Sequence, residues 1–376
     1  MSKEQFDALA YSLQRGQAVL AGRAEAQRKD EGQFLTPAPI ARFMARSLGK
    51  LREGAHVLDP AIGSGVLACA VIERAVRDGC PQELSIHGYE LDGELYRAAC
   101  ESLATAARWA ATRGVTVRTC LEQKDFLFEC TPGLTPPSLF SLSEPARAPT
   151  AYDCIIANPP YFKLNTDDGR VKAVLGHLKG HTNIYTLFMA LAARMLAQQA
   201  VACFIVPRSF CSGAYFSAFR RDFVEQVNPL AIHLFESRED AFKRDSVLQE
   251  NVIITFQPPA GSARPHSLEV SASRGSSDLD SPVARRVAMR HFLGRHNGDL
   301  YFRIPVGELD ELILEMMDRY IQELSHPDRV GNGGLVGGDP GTHDPLQRRP
   351  VPGLMQKQGA LSATPRRILP LRGLRR

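Results

Sequence analysis

The sequence predicts an α/β fold built on a doubly wound, mostly parallel sheet, and three observations carry that prediction. An apolar run at 55–58 leads through a glycine loop into an amphipathic segment at 66–77, the opening strand–loop–helix unit of such a sheet. Apolar runs and helical periodicity then alternate down the chain as far as residue 257. Finally, the buried run Ile155-Ile156-Ala157 stops at Asn158-Pro159-Pro160-Tyr161, which places an amide, a rigid turn and an aromatic ring at a strand's carboxyl end. Open parallel sheets bind their ligands there.

Composition sets the outer bounds. At 376 residues, 44% hydrophobic and 23% charged, the chain has the make-up of an ordinary globular protein. It lacks the roughly 18-residue apolar run of a membrane span, and Met1-Ser2-Lys3-Glu4 opens no signal sequence, so a cytoplasmic protein without a membrane partner is expected. Eight cysteines lie singly with no C-x-x-C pair, so neither a disulfide framework nor a metal site is expected. A net charge of +4 permits a nucleic-acid partner without demanding one.

In chain order, residues 3–28 read as a helix with Phe6, Leu9, Leu13, Val19 and Leu20 on one stripe, expected to pack on the domain. Gly32 to Pro37 turns into a second helix, with Thr36 as N-cap, Pro37 at its first position and Ile40, Phe43, Met44 and Leu48 on its apolar face. The strand at 55–58 meets Asp59-Pro60-Ala61-Ile62-Gly63-Ser64-Gly65. An acid at the strand end suits a diphosphate poorly; a ligand with an amino-acid end and a ribose fits better. The next unit is strand 84–89, Glu90 and helix 92–111, where Glu90 either takes two ribose hydroxyls or opens the helix as a first-turn carboxylate. Strand 115–118 leads to Asp125-Phe126, a carboxylate for an exocyclic amine and a ring for a purine, or a plain turn.

Residues 130–150 are Pro- and Ser-rich and read as a surface excursion. After Tyr161, the loop 163–181 sets Lys163, Arg170, Lys172 and Lys179 against Asp167 and Asp168, as a solvated loop or as a lid reaching phosphates. A helix from Asn183, strand 201–206, helix 213–227 with Arg220 and Arg221 on its wet side, strand 231–235, a basic loop at 238–244 and strand 252–256 follow; the last two strands are expected to close antiparallel. Residues 258–282 are rich in Ser, Pro and Gly. A strand at 300–304 and a helix at 306–324 follow, and residues 326–376, without Phe, Tyr, Trp or Glu, are expected to be disordered.

The proline-rich turn has a specific chemical use. A nitrogen attached to a conjugated ring or an amide has a delocalised lone pair and is a poor nucleophile. Two fixed acceptors, the Asn158 side-chain oxygen and the Pro159 carbonyl, can pull it toward tetrahedral geometry and orient it for in-line attack. Tyr161 offers a face for a planar base.

The ordered set Gln33-Phe34-Leu35-Thr36-Pro37, Asp59 to Gly65, Glu90, Asp125-Phe126 and Asn158-Pro159-Pro160-Tyr161 resembles the gamma-type N6-adenine DNA methyltransferases of restriction–modification systems. Ile205 to Phe210, Phe242 and Leu248 to Ile253 are similar to later motifs of that family. The resemblance covers residues 30–257. It implies a class I S-adenosylmethionine-dependent methyltransferase fold, Rossmann-like, with seven strands and an antiparallel last strand, followed by a small C-terminal segment. It further implies a cofactor site at Thr36, Asp59, Ala61, Gly63, Gly65, Glu90, Asp125 and Phe126. A flipped adenine would be held by Asn158, Pro159, Pro160 and Tyr161, with Phe242 on its other face. The implied partner is double-stranded DNA, and the expected state is a monomer or weak dimer.

The organisation expected is an N-terminal helical segment (1–30), a catalytic domain (31–257), a partial target-recognition region (258–325) and a tail (326–376). Truncation or a frame change near 320–325 is expected from the tail's composition, which keeps a non-catalytic cofactor- or DNA-binding remnant open as a reading. The same turn also serves a protein glutamine amide or an RNA guanine amine. Cytosine C5 chemistry is disfavoured, because it needs a nucleophilic thiolate and no Pro-Cys dipeptide occurs.

Overall fold

A computed structural model describes residues 6–24, 27–28, 32, 34–131, 151–175, 183–236, 250–261, 264–276, 278–296 and 298–325. The strands are β1 (Ala55–Asp59), β2 (Glu83–Tyr89), β3 (Thr116–Glu122), β4 (Tyr152–Ala157), β5 (Leu196–Pro207), β6 (Asn228–Phe235), β7 (Asn251–Gln257), β8 (Ser267–Ser273), β9 (Val283–Ala288), β10 (Leu293–His296) and β11 (Asp299–Phe302). The first nine form one sheet in the order β3-β2-β1-β4-β5-β7-β6-β8-β9. Pairing is parallel from β3 through β5, and β7 enters antiparallel between β5 and β6. The seven strands with an antiparallel last member are thus as expected. The sheet then continues, with β8 parallel to β6 and β9 antiparallel to β8, so residue 257 falls inside a continuous sheet.

Helices cover both faces: α1 (Ala8–Leu20), α2 (Ala38–Ser47), α3 (Val66–Asp78), α4 (Gly93–Ala111), α5 (Phe126–Cys130), α6 (Gly169–Leu175), α7 (Ile184–Arg194), α8 (Ser217–Gln226), α9 (Met289–Phe292) and α10 (Glu308–Ser325). Strand periodicity divides the core. Along β4, Ile155 and Ala157 join the cluster under α7 and α8, while Cys154 and Ile156 join the one under α2 and α3. Burial on both sides is why these strands read as unbroken apolar runs. α4 is capped by Asp92, whose carboxylate accepts from the Glu94 and Leu95 N–H groups. α3 starts at Gly65 (φ 90°) and stops at Gly79 (φ 65°), the left-handed conformations that favour glycine.

Four expectations need correction. The first helix is shorter than 3–28 and ends at Leu20. Thr36 does not cap α2; Pro37 occupies the cap without a side-chain bond, and the Thr36 hydroxyl is used elsewhere. Arg220 is not on the wet side of α8: it is fully buried and donates to the carbonyls of Leu300, Phe210 and Gly213. The Ser-, Pro- and Gly-rich stretch 258–282 contains β8, whose Leu268, Val270 and Ala272 alternate into the core. Residues 132–150 of the 130–150 excursion lie outside the described residues, as do the part of the 163–181 loop from 176 on, the basic loop 238–244 and the tail 326–376.

Candidate cofactor and base-binding site

The strand order reverses between β1 and β4, and a cavity of about 580 Å³ opens there beyond the strands' carboxyl ends. Ala61, Gly63, Glu90, Asp125, Phe126, Asn158 and Pro160 stand in its wall. Residues far apart in the chain therefore meet where the motif order placed them. Thr36, Asp59, Gly65, Pro159 and Tyr161 are not in that wall, and Phe242 lies outside the described residues.

The glycine loop is held from two sides. Glu90 accepts from the Gly63 N–H at 2.9 Å and from the Asp92 N–H at 2.8 Å, so it joins the first and second strand–helix units rather than capping α4. A side chain at Gly63 would meet open space, the room a ligand needs against backbone. At Gly16 of α1, a Cβ would press on the Ser64 hydroxyl and on Leu35, and that hydroxyl donates to the Ser12 carbonyl. The N-terminal helix thus packs on the loop as expected, and its last residue, Leu20, reaches the cavity.

Asp59 is buried. One oxygen accepts from the Ala61 N–H at 3.3 Å; the other, Oδ2, has no hydrogen-bond partner among the described residues. Burial, with a smaller contribution from the Glu90 charge, pushes its carboxyl up to about 8. Burial also raises Glu90, against the N–H groups that favour its ionised form. Two carboxyl groups raised by burial beside an open cavity suit a cationic ligand with hydroxyl groups. S-adenosylmethionine is such a molecule, and the orphaned Asp59 oxygen and the bare Gly63 backbone are the features that fit it.

Asp125 caps α5, its Oδ1 accepting from the Leu127 N–H at 2.9 Å, and it stands in the cavity wall. The adjoining wall contains residues that sequence reading left out of the site. Arg170, at the start of α6, pairs with Asp168 through two bonds of 2.9 and 2.7 Å and lies 3.9 Å from Asp125 Oδ2. Its motif neighbours gave no signal, because only folding brings the loop after Tyr161 back to the end of β3. Leu91, Lys124 and Phe34 also stand in the wall, each beside or within a motif that the sequence singled out.

Asn158 is fixed by a segment that precedes it by more than a hundred residues. Its Nδ2 donates to the Phe34 carbonyl at 3.2 Å and to Thr36 Oγ1 at 3.0 Å. These two acceptors settle which way the amide faces, and Oδ1 receives the Tyr161 hydroxyl at 2.5 Å. That hydroxyl also lies 2.9 Å from the Ile205 carbonyl of β5, and the Tyr161 ring sits edge-on to Tyr185. Burial raises the Tyr161 hydroxyl well above its ordinary range. Gly32 approaches the turn from the other side: at φ 65°, a Cβ would come within 2.8 Å of Pro160 Cβ.

Residues 121–242 match the Eco57I restriction-modification methylase family. The chain is 29% identical over 286 residues to the type II methyltransferase M.PstI of Providencia stuartii, covering 76% of this chain and 54% of that protein. It is 32% identical over 227 residues to the type II methyltransferase M.BsuBI of Bacillus subtilis, covering 60% and 43%. The chain therefore spans about half the length of these relatives. A class I S-adenosylmethionine-dependent methyltransferase from Listeria monocytogenes superposes with a TM-score of 0.51 at 17% identity, covering 74% of this chain and 77% of that one. The fold is that of the class I methyltransferases, and the resemblance to restriction–modification methyltransferases read from the motifs is met by these matches.

Proposed function

We propose that the protein transfers a methyl group from S-adenosylmethionine to N6 of an adenine turned out of double-stranded DNA. The observation that carries this reading is the orientation of Asn158. With Nδ2 committed to Phe34 and Thr36, Oδ1 is left as a fixed acceptor at the rim of the cavity. Its relatives are named as type II methyltransferases, which favours DNA over a protein amide or an RNA base.

When bound, S-adenosylmethionine supplies an electrophilic methyl carbon on a sulfonium. Glu90, Asp125 and Gly63 would hold it by its hydroxyl and amino groups, and Asp59, on giving up its proton to solvent as the cation arrives, would with Glu90 balance its positive charge. Asn158 Oδ1 and the Pro159 carbonyl accept the two hydrogens of the target amine, which localises the nitrogen lone pair toward the methyl carbon. One amine proton leaves to solvent after transfer. Tyr161 is not the base for that proton: its raised hydroxyl stays protonated and supports Oδ1 as a donor. Extrusion of the base is required, since N6 inside a stacked duplex is closed to in-line attack.

Incubation with tritiated S-adenosylmethionine and duplex DNA tests the reading. Label should appear on adenine N6 and fall at least a hundredfold in Asn158→Ala while cofactor binding is kept. Label on protein or RNA in preference to DNA, or cofactor binding without transfer to any DNA, sinks it.

A further inference from the structure

We propose that His87, Cys120 and Glu122 form a binding site for a zinc-class divalent cation at the β2–β3 edge, behind the cofactor cavity. The placement follows from strand register. His87 and Cys120 are direct partners in the parallel pair β2–β3, and Glu122 lies two residues beyond Cys120, so all three side chains rise on one face. One ligand atom from each lies within 4.8 Å of the others. Ligand atoms around tetrahedral zinc stand about 3.4–3.8 Å apart, so small rotamer changes close the set.

The surroundings are those of a metal-binding histidine. The Nδ1 atom of His87 lies 2.5 Å from the Tyr152 hydroxyl, which holds the ring, while Nε2 points to Glu122 Oε1 at 2.9 Å. Glu122 Oε2 is held by Lys124 at 2.7 Å, leaving Oε1 toward the cluster. Beside the group lies a cavity of about 230 Å³ lined by His56, His87 and Cys120, with room for a water as fourth ligand. One imidazole, one thiolate and one carboxylate select a borderline-soft ion; magnesium and calcium want oxygen throughout.

The site borders the proposed active centre. β2 ends at Tyr89, next to Glu90, and β3 leads through Lys124 to Asp125. Lys124 bridges Glu122 and Glu129 and also lines the cofactor cavity. A cation that takes Glu122 alters the partner of a cavity-wall lysine. The absence of C-x-x-C gave no warning of this, because the ligands come together by register between strands and not by spacing along one segment.

Cobalt(II) is the probe, titrated into tag-free, chelator-treated protein. One equivalent should bind with a thiolate-to-cobalt charge-transfer band, and zinc should displace it. The band should vanish in Cys120→Ser, binding should weaken at least tenfold in Glu122→Gln and His87→Ala, and Cys80→Ser, at another exposed cysteine, should change nothing. A titration without the thiolate band, or binding indifferent to these substitutions, overturns the site. Cys120 is exposed, so its serine variant decides the matter even where His87→Ala fails to fold.

Discussion

Thr36 shows how one hydroxyl separates two roles. Its Oγ1 accepts from Asn158 Nδ2, and the residue stands outside the cavity wall, so its effect runs through the amide proposed to orient the target amine. Thr36→Val should lower the transfer rate roughly tenfold while leaving the cofactor dissociation constant within about twofold, the size of one lost hydrogen bond felt in the transition state. A large rise in that constant would return Thr36 to cofactor binding. Gly32→Ala acts on the same turn by sterics: a positive φ and a 2.8 Å approach to Pro160 Cβ cost on the order of 1–3 kcal/mol or push the turn out of line. A thermal melt with a single-turnover assay reads either result. Asp59 carries a pH signature. Its folded value of about 8 is above the ordinary 3.8, so the stability associated with its protonated form is full below about pH 4 and is lost as pH rises toward 8. Asp59→Asn, which mimics the neutral acid, should gain on the parent chain across that window in melts without cofactor. Equal pH dependence of the two proteins would refute it.

Among the elements, what sequence could reveal depended on how periodicity meets burial. β4 and β7 were legible as nearly continuous apolar runs buried on both faces, while β1 and β2 were legible because an acid, Asp59 or Glu90, stands at the carboxyl end of a short apolar stretch. β8 was not, because its serines occupy alternate positions beside β6 and gave the stretch the look of a loop. Arg220 was misplaced for a related reason: periodicity assigns charge to solvent by default and cannot foresee three carbonyls converging on a guanidinium. Those carbonyls belong to the turn after β5 and to β11, so Arg220 ties α8 and that turn to the hairpin β10–β11. Arg220→Leu strands them and should cost about 3 kcal/mol in urea unfolding, with Arg220→Lys recovering little because one ammonium cannot replace the fork. A loss under about 0.5 kcal/mol would mean that the hairpin is held by packing alone. α10 is an element whose pattern was read and whose setting was not. Arg303 pairs with Asp318, and Arg285 and His291 pair with Glu311, so its acidic side faces the sheet, while Leu309, Leu312, Met316 and Tyr320 are exposed. A helical stripe alone does not say which face is buried.

At the scale of the described fold, the site exists because the sheet reverses direction between β1 and β4, so that loops from opposite faces open on one cavity. Glu90 bonds the glycine loop to the start of α4, and Asn158 bonds the end of β4 to the segment before α2, so the cavity wall is cross-linked by the same residues proposed to hold ligands. A ligand bound there stabilises elements from both halves at once and should register in the global melt. At about 100 times its dissociation constant, a one-site ligand adds about 2.7 kcal/mol, which for a domain of this size is a rise of roughly 5 °C. S-adenosylhomocysteine should give that shift in the parent chain and in Asn158→Ala, whose change lies on the side of the cavity proposed for the base. It should give much less in Glu90→Ala, which loses both a ligand contact and the link to Gly63. Adenosine alone should shift the melt weakly, because it lacks the ammonium group that S-adenosylhomocysteine brings to the carboxyl groups of Asp59 and Glu90. An equal shift with adenosine would place the binding energy on the purine side, at Asp125 and Phe126, and remove the charge-balancing role from Asp59.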